Sequence, residues 1–93
     1  MELKETIEMM NSEDYKERFK AEYHQTKIRY EKLKTFNTKI EAAEKTAWEN
    51  VVNGSVVMPK HNCPPSLLVA QQRAMGEYLH ILEVRAVIEG INL

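Results

Sequence analysis

Eight basic residues crowd one segment of the chain: Lys16, Arg18, Lys20, Lys27, Arg29, Lys32, Lys34 and Lys39. Tyr15, Tyr23, Tyr30 and Phe36 are interleaved with them. Lysine and arginine pair with phosphate oxygens, and an aromatic face stacks on a nucleobase. This mixture therefore has the chemistry for an anionic ligand that carries rings. The segment from 15 to 39 has a charge balance of +5, residues 1–14 have −4, and the whole chain has −1. A long polyanion would meet acidic flanks, and a pI near 6.3 is low for a nucleic-acid domain. A small anionic ligand fits this balance better, and a solvated helix face laced with ion pairs is the plainer alternative.

Catalytic and metal chemistry find little support. Ser12, Ser55 and Ser66 lie in capping or loop contexts, and no G-x-S-x-G elbow or phosphate-cradling glycine loop is present. His61-Asn62-Cys63 is one corner of a metal site, but His24 and His80 stand at no recognised ligand spacing. No cofactor and no metal is expected, and the protein is not expected to be an enzyme. The lone cysteine allows no internal disulfide, which points to a reducing cytoplasm. No apolar run approaches the about 20 residues of a membrane span, so no membrane partner is expected.

The elements that must position these groups are helical. Leu3, Ile7 and Met10 recur at helical spacing, predicting a short amphipathic helix over 3–10. Asn11 or Ser12 can cap the next helix. No glycine or proline interrupts residues 12–48, and Tyr15, Phe19, Thr26, Tyr30, Leu33, Ile40, Ala43 and Ala47 form a stripe, predicting one long helix. In the loop 49–65, Asn53-Gly54 between valine pairs signals a type I′ turn and a small β-hairpin, with an ordinary loop as the alternative. The last helix is expected over 66–88, with Pro65 in its first turn and Gly90 as its stop. The fold class is thus all-α: one small domain over 1–93, an antiparallel helical hairpin with a short N-terminal helix.

Two apolar rows run along the last helix. Leu67, Ala74, Ile81 and Ile88 repeat every seven residues, and Leu68, Met75 and Leu82 run beside them. The first row is expected to pack on the long helix of the same chain. The second then needs another chain, unless the N-terminal helix folds back over it. Gly76 interrupts this helix at a cost of about 0.5–1 kcal/mol against alanine. It stands with Gln72, Arg73 and His80 at the edge of the polar face. Close approach of a neighbouring helix and room for a polar ligand are the two explanations.

Two blocks, YKERFKAEYHQTKIRYEKLKTF from Tyr15 to Phe36 and LLVAQQRAMGEYLHILEVR from Leu67 to Arg85, cover about 41 of 93 residues. In this order they resemble the type 2 anti-CBASS proteins of phages, sponges for cyclic oligonucleotide messengers. The resemblance implies a compact helical homo-oligomer, commonly a hexamer, in the cytoplasm of the host bacterium. It implies pockets between protomers that bind cyclic dinucleotides such as cyclic GMP–AMP, sites for cyclic trinucleotides in some members, and no cleavage of the ligand. Carried over by position, Tyr15 would stack on a base beside Arg18. Arg29 and Lys32 would face phosphates, with Lys34 or Thr35 alongside. Gln71, Arg73, Ala74 and Tyr78 fall in the block that would line a second site, with core packing the competing role for Tyr78, and Gly76 borders it. The chain departs from the family pattern in its longer linker from Glu44 to Pro65, its acidic N-terminal helix, and Thr26 and Tyr30 at aliphatic positions. These departures leave the particular nucleotide open. The alternative function is a helical oligomer that inhibits a host defence protein by direct binding.

Overall fold

The computed structural model describes residues 1–48 and 56–93, apart from the side chains of Ala47 and Trp48. A 3₁₀ turn, Leu3–Glu5, leads into α1, Thr6–Met10. Two long helices follow, α2 over Tyr15–Trp48 and α3 over Pro65–Glu89. The fold is all-α, as expected. The Asn53-Gly54 turn expected from the sequence lies outside the described residues.

Helix α2 begins later than the sequence suggested. Asp14 caps it, its Oδ1 accepting the Lys16 N–H at 3.0 Å, while Ser12 Oγ accepts the Asp14 N–H at 3.0 Å. Two short polar side chains in succession thus satisfy donors that a helix start leaves open. At α3 the proline and glycine sit where their backbones fit. Pro65, which has no N–H to leave unpaired, occupies the first turn. Gly90 takes a left-handed φ of 69°, which a side chain would disfavour. The chain then turns so that the Ile91 N–H reaches the Ala86 carbonyl at 2.8 Å, and the Ile91 side chain joins the core.

Helices α2 and α3 pack antiparallel. Phe19, Tyr23, Leu79, Leu82, Ala86 and Ile91 form their shared core, with Tyr30 against it. The edges of the contact are stitched by tyrosine–glutamate bonds. Tyr23 donates to Glu83 Oε2 at 2.6 Å, Tyr15 donates to Glu89 Oε1 at 2.9 Å, and Tyr78 donates to Glu22. Further along, the buried Asn37 donates through Nδ2 to the Leu68 carbonyl at 3.1 Å and to Gln72 Oε1 at 2.9 Å. These bonds cross the interface on both flanks and leave α3 little freedom to rotate.

That rotation reverses the expected assignment of the apolar rows. Leu82 is fully buried and Leu68 and Met75 are half-buried, so the second row faces α2. Leu67, Ile81 and Ile88 are 59%, 54% and 77% exposed, and Ala74 is exposed with them. Consecutive residues lie about 100° apart around a helix, so seating one row on α2 turns the other away. The N-terminal segment does not cover the bare row either, since α1 packs on α2 and not on α3. Its expected apolar face is also corrected. Ile7 and Met10 are exposed, while Thr6 is buried and its hydroxyl donates to the Leu3 carbonyl at 2.6 Å. In α2, the seam residue Tyr15 is exposed and the polar Asn37 is buried in the contact with α3. Tyr78 is exposed too, so it makes an edge contact through its hydroxyl rather than packing in the core.

Candidate functional site

Two places collect groups that can hold a ligand. The first is at the start of α2. Tyr15 is the first residue of the helix, which brings its ring beside the last turn of antiparallel α3. Its hydroxyl donates to Glu89 and accepts from Arg85 Nη2 at 2.8 Å. Arg85 Nε donates to Glu89 Oε2 at 3.3 Å, closing a three-residue ring of bonds. The Arg85 guanidinium also lies over the Phe19 ring, 5.1 Å from its centre, and the Tyr15 and Phe19 rings meet edge to face at 6.1 Å. The bond to Glu89 is the main cause holding the Tyr15 phenol above its usual pKa. Burial adds to it and the charge of Arg85 opposes it. The ring is half exposed, with its hydroxyl fixed.

The second place is built around Gly76. A β-carbon there would lie 3.2 Å from Tyr30 Cε1, tighter than ordinary contact, so the glycine admits the Tyr30 ring. Of the two explanations offered for the glycine, the contact across the helices is the one seen here. The close approach of α2 is real, and beside it opens a groove of about 560 Å³ bordered by Tyr30, Gln72, Arg73, Glu77 and His80. A neighbouring groove of about 410 Å³ is lined by Lys34 and shares Val69 and Gln72 with the first. An aromatic ring, an amide, a guanidinium and an imidazole thus face one open trough, with Lys34 along its continuation. Asn37 orients Gln72 by its bond to Oε1. Asn37 Oδ1 is buried and has no partner among the described residues.

The residues singled out from the sequence are distributed unevenly over these places. Arg73 and Gly76 share the trough, and Lys34 lies next to it. Gln71 and Ala74 are exposed on α3, Ala74 within the bare apolar row. Arg18 is close to Tyr15 in sequence, but its Nη1 donates to the Ser12 carbonyl at 2.8 Å and ties the turn between α1 and α2. Lys32 lines shallow grooves with Ile28 and Met1 on the side of α2 that carries the N-terminal segment. Half-buried His24 lines one of them, its pKa pushed below the usual value by burial first and by Lys27 second. Arg29 and Thr35 are exposed on α2.

Distance separates the proposed stacking ring from the proposed phosphate partners. Tyr15 and Arg29 are 14 residues apart on one uninterrupted helix, which is about 21 Å along its axis at about 1.5 Å per residue. Lys32 is further still. One chain does not bring Tyr15 to Arg29 or Lys32 on a small ligand. The group it does bring to Tyr15 is Arg85, which lies outside the basic segment of α2. Its signal was legible as an Arg85–Glu89 pair at i, i+4 facing the first turn of an antiparallel neighbour.

A comparison with known families settles the kinship. The chain belongs to the Sequestin family. The match covers residues 13–88, which includes α2, its connection to α3 and all of α3 but its last residue, Glu89, and leaves out the 3₁₀ turn and α1. No curated protein and no solved structure matches the chain. The family's name describes sequestration, a binding role rather than a catalytic one. No described helix is long and apolar enough to cross a membrane.

Proposed function

We propose that this member of the Sequestin family binds cyclic oligonucleotide messengers and holds them without cleavage. In this reading it is a phage-type sponge acting in the cytoplasm of an infected bacterium. The ligands are cyclic dinucleotides such as cyclic GMP–AMP, with cyclic trinucleotides as a second class, and the holder is a homo-oligomer, a hexamer by the resemblance. The observation that carries the reading is the match to the Sequestin family over residues 13–88, on which Tyr15 stands 14 residues from Arg29 and further from Lys32 along α2. A site that uses both a stacking ring and these bases must be assembled from two chains. The bare row of Leu67, Ala74, Ile81 and Ile88 offers the apolar area such an assembly needs. The Gly76 trough, with Arg73 and Gln72 and with Lys34 beyond, is the counterpart for a second ligand.

Titration calorimetry against a panel of cyclic di- and trinucleotides tests this directly, with the recovered ligand weighed by mass spectrometry. Binding with intact ligand is expected. Arg29→Ala combined with Lys32→Ala should abolish dinucleotide binding while the helical signal and the size in solution persist. No heat with any cyclic nucleotide at micromolar protein overturns the reading. The bare apolar row also favours a second reading, an oligomer that inhibits a host defence protein by direct contact. Capture of one such protein by the double variant, undiminished, would favour that reading.

A further inference from the structure

We propose that Arg85 is a ligand-binding residue: with the Tyr15 ring it forms a base-and-phosphate subsite at the junction of α2 and α3, Arg85 taking the anionic group of a nucleotide whose base lies on Tyr15. This rests on the nucleotide-binding reading above and names a residue that reading lacks. Three observations carry it.

Arg85 is the base whose guanidinium touches Tyr15 within the same chain, at 2.8 Å from the hydroxyl. Arg18, one turn along α2, bonds the Ser12 carbonyl and not Tyr15, and Arg29 lies about 21 Å away along the helix.

The guanidinium is also held in place without being used up. A guanidinium carries five N–H donors. Here Nε bonds Glu89 and one Nη2 hydrogen bonds Tyr15, and among the described residues the Nη1 edge keeps its donors. Its central carbon lies over the Phe19 ring, 5.1 Å from the ring centre, and its side chain is about half exposed at 47%. The bonds to Glu89 and Tyr15 orient the fork, and an oriented guanidinium favours two-point contact with a phosphate.

Finally, Glu89 gives the arrangement direction. Its two oxygens bond the Tyr15 hydroxyl and Arg85 Nε, which sets the ring and the guanidinium relative to each other before any ligand arrives. Glu89 is a positioning residue. Its charge also discourages an anion from settling on the Nε edge and leaves Nη1 as the open side.

The test uses the full chain and cyclic GMP–AMP and cyclic di-AMP as probes, titrated at two salt concentrations. Arg85→Met keeps the aliphatic cover over Phe19 and removes the charge and the donors. It should weaken binding by about ten- to hundredfold and flatten the salt dependence of Kd. Arg85→Lys keeps the charge without the fork and should lie between Arg85→Met and the unaltered protein. Tyr15→Ala should abolish binding. Circular dichroism confirms that each variant is folded, and Arg85→Lys serves for the comparison if Arg85→Met is not. If Tyr15→Ala loses binding while the Arg85 variants keep the unaltered affinity and salt slope, the role of Arg85 is overturned and the nucleotide reading stands. If the unaltered protein binds neither probe, both fall.

Discussion

Leu68, Met75 and Leu82 on α3 lie against α2, while Leu67, Ala74, Ile81 and Ile88, offset from them by one residue, face outward. The two rows have nearly the same composition and the same seven-residue repeat. Hydrophobicity alone gives α2 no reason to choose between them. The choice falls to the polar and small residues beside the rows. Tyr23 with Glu83, Tyr78 with Glu22, and Asn37 with Leu68 and Gln72 can all form only in the observed rotation. Gly76 allows the Tyr30 ring to settle between the helices in that same rotation. Apolar area supplies most of the attraction between α2 and α3, and directional contacts at the rim select the face.

The largest difference between the rows should appear on truncation. Leu82 is fully buried, so Leu82→Ala should cost about 2–5 kcal/mol of stability, read as a fall in the thermal midpoint. Ile81→Ala, one residue away on the bare row, should change a dilute, dissociated sample by less than about 0.5 kcal/mol. Its effect should grow as protein concentration rises, because assembly adds stability by mass action. Equal losses for the two variants in dilute solution would break the distinction between the faces.

The same contrast explains what could be seen in the sequence. Helix existence was legible from the uninterrupted stretch 12–48 and from the repeat in α3, whose ends were legible from Pro65 and Gly90. The presence of two apolar rows was legible too. Which row faces inward was not, because periodicity fixes a helix's faces but not its rotation against a partner. The partners of Tyr15 show the same limit. Its ring stood out as a stacking group, yet Arg85 and Glu89 are 70 and 74 residues away, and only the antiparallel register brings them together. Arg18 stood out by closeness in sequence and proved to serve the turn. Gly76 was the most informative single residue, since its cost inside a helix pointed to a close neighbour or to room for a ligand.

Tyr23 offers a sharper probe of the rim contacts through pH. Burial first, and the bond to Glu83 second, push its phenol up to about 12 from an ordinary value of about 10. Below the lower value, folded and unfolded chains both keep the proton and the contribution is intact. Between the two values the unfolded chain alone releases it, so folding weakens as pH rises and the contribution is gone above about 12. Two units correspond to a loss of roughly 2–3 kcal/mol. Denaturant unfolding across this range should therefore show the native chain losing that much more stability than Tyr23→Phe, which has no phenol to titrate. Parallel curves for the two proteins would mean that Tyr23 does not anchor the rotation of α3.

The smallest effect isolates the contact between Gly76 and Tyr30. Alanine should improve α3 by about 0.5–1 kcal/mol through helix propensity alone. In the native background the new methyl meets Tyr30 Cε1 at 3.2 Å, and the ring must yield by a few tenths of an ångström. The ring borders an open groove and has somewhere to go, so the two terms should nearly cancel and Gly76→Ala should be close to neutral. In a Tyr30→Ala background nothing opposes the methyl, and the same substitution should then stabilise by the full propensity term. The double-mutant cycle measures this difference. A coupling near zero would mean that Gly76 is not there for Tyr30. The trough beside it would then be the remaining physical reason for a glycine inside the helix.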